Sequence, residues 1–253
     1  MIYDTQRASM WKRLSAALFD GILLGVTAVL FAWLLSVALG FDTHYQTLND
    51  AYARYGEKYG VDFNLGLSDY EAMSQSEIDR LNEAYAALSQ DGDALYAYNM
   101  LISLTLTITS LGILLAYLVM EFTIPMCLQN GQTIGKKLFG IGLMRNDGVK
   151  ITGSGLFART FLGKYAVGSM VPALIILMIF FGILGLTGTI LLALIALVQI
   201  ILLLATRNHT PIHDLLAASV CIDLGSQLIF DTYDDMIAYK KKVHAEQVAN
   251  TAY

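Results

Sequence analysis

Charge is what this chain has least of. Only 15% of its 253 residues are Asp, Glu, Lys or Arg, against 56% hydrophobic side chains and a mean hydropathy of +0.56. That balance excludes an ordinary soluble domain. Cysteine is scarce too. Cys127 and Cys221 are the only two, and both fall beside expected membrane boundaries, which argues against a disulfide framework. The histidines and acids show no metal-ligand spacing, so neither metal nor cofactor is expected. No Ser/His/Asp or Cys/His arrangement points to an enzyme, and nothing in the pattern points to nucleic acid. A cleavable secretory signal is also missing. The first apolar run is longer than a signal's and carries Asp20, so it reads as an uncleaved anchor.

What the chain does have is apolar length. A helix needs about 20 apolar residues to cross a ~30 Å hydrocarbon layer, and the sequence supplies four such spans. The first runs from Leu14 to Phe41. The second runs from Asn99 to Leu118, with an extension towards Pro125. The third and fourth share the block from Tyr165 to Ala205, where "FGILGLTG" breaks the run and Gly182, Gly185 and Gly188 turn it into a hairpin. The expected fold is therefore all-α, a polytopic membrane helix bundle.

The few charges are distributed unevenly. Arg7, Lys12 and Arg13 precede the first span, and Arg207 with Lys240, Lys241 and Lys242 follows the last. Between spans two and three, Lys136, Lys137, Arg145, Lys150, Arg159 and Lys164 face Asp147 alone. Residues 42–98 carry Arg54, Lys58 and Arg80 against eleven acids. The positive-inside rule then predicts a multi-pass protein of the cell membrane with both termini cytoplasmic. It divides the chain into an N-terminus with first span (1–41), an acidic Tyr-rich extracytoplasmic insertion (42–98), the remaining core with its basic loop (99–224) and a tail (225–253).

Within the insertion, Tyr45, Leu48, Tyr52, Tyr55 and Tyr59 step by three and four, which lays a stripe on one helix face. A second helix is expected from Ser68, where Ser68 and Glu71 match a capping box, with Ile78, Leu81, Tyr85 and Leu88 apolar. The pair forms an outer helical hairpin, and the stripe reads as its core or as a ligand platform.

Polar residues inside apolar runs are the candidates for chemistry. Arg13 and Asp20 lie two turns apart, so both leave the same face, and Thr27 continues that line. The ~10 Å rise between them favours partners from other spans. A carboxylate near a helix centre costs roughly 2.5–3.5 kcal/mol, so Asp20 should face protein or a wet cavity. It either titrates on an ion path or fixes helix register. Gly21 and Gly25 beside it suggest close helix contact. In "RNHTPIHDLLAASVCID", Thr210 reads as an N-cap and Pro211 as the first residue of a short interfacial helix. Ile212, Leu215, Leu216, Ser219 and Ile222 supply its apolar face. Asp214 there suits the helix dipole or pairs with Arg13, and His213 would then titrate near neutral pH. Glu121, near the end of span two, is a further candidate, and Gln199 lies within span four.

"GQTIGKKLFGIG" is one residue short of a phosphate-binding loop and has Lys137 where Ser or Thr is required, so nucleotide binding is rejected. Lys136 and Lys137 are expected to meet lipid phosphates. "IGLMRNDGVKIT" reads as a hairpin turning at Asn-Asp-Gly. "GLFARTFLGKYAVG" reads as an interfacial helix whose Arg159 and Lys164 snorkel to headgroups.

Taken in order, Arg13, Asp20, "GQTIGKKLFGI", "RNDGVKIT", Arg159 and "HDLLAASV" resemble the RDD family over residues 7–41 and about 99–224. The family's arginine and two aspartates correspond here to Arg13, Asp20 and Asp214. The resemblance implies a bacterial multi-span membrane protein for which transport has been proposed, with cation/proton exchange in some members. The expectation is a transporter of a monovalent cation or small solute against protons, working as a homo-oligomer because four spans enclose little volume. The alternative is a non-transporting scaffold or regulator that binds a partner or anionic lipid.

Overall fold

The computed structural model describes residues 7–180, 182–205 and 211–251. In chain order the helices are α1 (Met10–Ala38), α2 (Phe41–Tyr59), α3 (Leu67–Glu71), α4 (Gln75–Leu88) and α5 (Gly92–Cys127). They are followed by α6 (Ile134–Leu138), strand β1 (Ile141–Arg145), α7 (Gly153–Phe180), α8 (Gly185–Ala205) and α9 (Ile212–Leu216). Strand β2 (Ser219–Asp223) and α10 (Tyr233–Thr251) complete the chain. Helices α1, α5, α7 and α8 are long and apolar enough to cross a membrane. The fold is an all-α membrane bundle with one two-stranded sheet.

Two of the four long helices are not uniform. α5 widens to π geometry at Leu118–Thr123, and α7 does so at Ala158–Met170. π segments occur where a helix must re-aim side chains, often at functional sites. Pro125 shows one local reason. It has no N–H to give the carbonyl of Glu121 four residues back, and the Thr160 hydroxyl on α7 donates to that carbonyl instead at 2.9 Å. Between α7 and α8 the chain reverses at Gly182 and Gly185, both with positive φ. Gly188 lies so close to Ile179 that a Cβ there would sit 2.6 Å from its Cγ1.

The chain forms two compact units, Met1–Ala28 with Ile113–Tyr253, and Val29–Gly112. In the second unit α2 and α4 pack on each other around Ala51, Leu88 and Ala94, with Leu48, Tyr52, Tyr55 and Phe63 against them. Tyr52 stacks on Phe63, which meets Tyr85 edge-on. Tyr45 is exposed. The capping box is not Ser68/Glu71. Ser74 caps α4, with Glu77 reaching back to the Ser74 N–H at 2.7 Å, while residues 67–71 form only a single turn.

The first unit corrects three expectations. "IGLMR" does turn back at Asn-Asp-Gly, with a bridge from Met144 to Lys150, but its main partner is β2, antiparallel from Ile141↔Asp223 to Arg145↔Ser219. Ser219 and Ile222 therefore lie on a strand, and the helix before them stops at Leu216. Both strands are short apolar runs buried on both faces, a pattern periodicity cannot separate from helix. Pro211 occupies the N-cap position of α9, and Thr210 lies outside the described residues. Finally, the helix expected to lead into span three is not a separate element, because residues 153–180 are helical throughout. The N-terminal segment joins the same sheet, through Ala8 N–H to the Cys221 carbonyl at 3.3 Å and Lys12 to Asp223 at 2.6 Å.

Candidate functional site

Asp20 is buried, 7% exposed, on the apolar helix α1. Its partners come from "QTIG". The Thr133 hydroxyl donates to Oδ2 at 2.5 Å and the Gly135 N–H to Oδ1 at 2.7 Å. Thr133 is also the N-cap of α6, taking the Lys136 N–H at 3.3 Å. Only glycine fits at 135, where a Cβ would lie 2.5 Å from the Ala16 carbonyl oxygen. The carboxylate thus fastens α6 to α1, and the close approach occurs at Gly135. Gly21 and Gly25 face open space instead, with nothing within 4 Å of a built Cβ.

Asp214 is 1% exposed and does not pair with Arg13. Its partner is Arg159, whose Nε donates to Oδ1 at 2.7 Å. Ser219 donates to the same oxygen at 3.2 Å, and the Cys221 thiol approaches Oδ2 at 3.9 Å. Burial would raise this carboxyl, but Arg159, His213 and Lys136 outweigh it and hold it well below the ordinary carboxylate range. Arg159, at 2% exposure, reaches no headgroup; it is drawn inward by that carboxylate. Lys164 likewise turns inward, its Nζ 2.5 Å from Glu121 Oε1. Arg159 Nη1 stands 4.0 Å from Glu121 Oε2. Both π segments therefore serve one cluster, since Glu121 lies on one and Arg159 and Lys164 on the other.

His213 lies against the third span, where a Cβ on Gly163 would come within 2.5 Å of its Cα. The expectation that it titrates near neutral pH fails. Burial pushes the imidazole far below its ordinary value, and Asp214 only partly offsets this. Lys136 is the other revision. It is 7% exposed, not at a lipid surface, and burial, then Arg159 and Lys164, lower its ammonium from 10.5 to about 8. Lys137 is exposed. Arg13 and Asp20 join Lys136, Arg159, Lys164 and Asp214 in lining a cavity of about 260 Å³.

The arginine of the first span and the two aspartates thus line one cavity, each acid held by its own partner. The RDD family model matches residues 7–218. The chain belongs to the RDD family. No curated protein and no solved structure matches it. For this RDD protein, sequence reasoning missed Thr133, Gly135, Thr160 and Ser219 as partners. The one available signal was Thr133, a cap residue directly before "IGKKL".

Proposed function

We propose that this RDD-family protein transports a small charged solute, a monovalent cation or other small ion, in exchange for protons, with the buried Glu121, Lys164, Arg159 and Asp214 cluster as its coupling element. The observation that supports this is burial. Arg159, Asp214 and Glu121 are each 5% exposed or less in a bundle of apolar spans, beside a cavity that four basic residues share. Charges inside membranes are expensive and commonly mark ion paths. Asp20 then serves as the anchor that holds Lys136 against the cavity. Both termini and the basic segments face the cytoplasm in this reading, and the working unit is a homo-oligomer.

In proteoliposomes matched for inserted protein, Glu121→Gln should abolish proton-coupled flux, with a lowered thermal midpoint because Lys164 and Arg159 lose a buried counter-charge. Undiminished flux in that variant removes the cluster from the mechanism. A second reading has an observation of its own: Asp20 and Asp214 are fully engaged, as in a locked structural core. In that case the protein is a scaffold or regulator binding a partner or anionic lipid, and no ion screened one at a time would move through the wild type.

A further inference from the structure

Two donors in the cavity wall stand out. Lys136 Nζ and Arg159 Nη1 are buried and have no hydrogen-bond partner among the described residues. An ammonium brings three N–H donors and a guanidinium five, and neither can accept. Buried donors of this kind are normally satisfied. The acceptors nearby are already in use: both oxygens of Asp20 and of Asp214, and Oε1 of Glu121. Glu121 Oε2, which also lacks a hydrogen-bond partner, lies 4.0 Å from Arg159 Nη1, an ion-pair contact too long for a hydrogen bond, so Lys136 Nζ is the donor with no facing acceptor.

We infer that the cavity at Lys136 and Arg159 binds a phosphate-type oxyanion, supplied either by a lipid headgroup or by a free solute. Two unpartnered donors, both on cationic side chains, disfavour a bare cation at this spot. Lys–Arg pairs are standard recognition groups for such oxyanions. These donors reach the cavity from α6 and α7, and a tetrahedral acceptor can meet separated donors better than a planar carboxylate. Lys136 carries its proton at neutral pH and gives it up above about 8, its surroundings being Arg159, Lys164, Cys221 and Glu121. The inference needs the cavity to be a ligand site, as the transport reading does, but it does not need transport.

The test is thermal unfolding of the full-length protein in uncharged detergent, in chloride, acetate or inorganic phosphate at matched ionic strength. Phosphate at a hundredfold excess over its Kd should raise the wild-type midpoint by on the order of 5 °C, and acetate should not. Lys136→Met should melt higher than wild type without phosphate, since it removes the unsatisfied ammonium, and should show no phosphate shift. Lys136→Arg should keep the shift. If free phosphate is silent but phosphatidylglycerol in nanodiscs stabilises wild type and not Lys136→Met, the oxyanion is a lipid headgroup. No shift from either source, an equal shift in Lys136→Met, or a lower anion-free midpoint for that variant overturns the inference. A protein that binds phosphate yet moves no ion removes only the transport reading. Proton-coupled flux indifferent to anion and to Lys136→Met removes only this one.

Discussion

In the hairpin that α2 and α4 form, the Arg54–Asp91 pair meets at 2.9 Å with Arg54 66% exposed. In the other unit, Arg159 and Asp214 meet at 2.7 Å with neither more than 2% exposed. The contact is alike and the consequence is not. Water can replace either partner of the first pair, so aromatic packing of Tyr52, Phe63 and Tyr85 must hold the hairpin. Nothing replaces either partner of the second, so each charge there constrains the backbone that carries it.

The contrast can be broken most forcefully at Arg159. Arg159→Met leaves the buried Asp214 carboxylate with Ser219, Cys221 and the His213 imidazole 3.8 Å away, and removing one member of a buried pair costs about 3–5 kcal/mol. The variant should be depleted from membranes, and Arg159→Met with Asp214→Leu should recover most of the loss. A single variant as abundant and heat-stable as wild type would show that the pair does not hold the bundle.

A smaller effect comes from pH. The His213 value in the fold lies below its unfolded value of 6.5. The unfolded chain therefore takes up a proton first, and stability falls as pH drops below about 6.5. The wild-type midpoint should decline between pH 7 and 5, and His213→Gln should flatten that decline. Asp214, also held low, contributes its stability above the ordinary carboxylate range and loses it only at lower pH. In the hairpin, Asp91 is lowered chiefly by the backbone N–H of Ala94 and has no bearing on the window above pH 5. A decline unchanged in His213→Gln would place the sensitive group elsewhere. The smallest effect belongs to Arg54→Ala, at about 0–1 kcal/mol for an exposed pair. A loss several times larger would mean the hairpin depends on charge after all.

Much of this was legible in sequence, and the part that was not has a common cause. Hydropathy located the four apolar helices because length and composition are local properties. The burial of Asp20 followed from the cost of a carboxylate in hydrocarbon. Its partners, 113 and 115 positions away, left no periodic trace. Arg159 and Lys164 were read as headgroup contacts because basic residues near span ends usually are. Only the fold brings Asp214 and Glu121 to them. Ser68-x-x-Glu71 and Ser74-x-x-Glu77 carry the same capping signal, and the length of helix that follows decides between them. "IGLMR" was legible as one arm of a hairpin, but "SVCID" was not legible as its main partner, because the two pair only after two further long helices have been placed.

The separation of Arg159 from Asp214 by 55 positions bears on how the protein is made. While a ribosome is still synthesising α8, Arg159 has been made and Asp214 does not yet exist. The guanidinium therefore gains its counter-charge, and β1 its closing strand, only from the last few dozen codons.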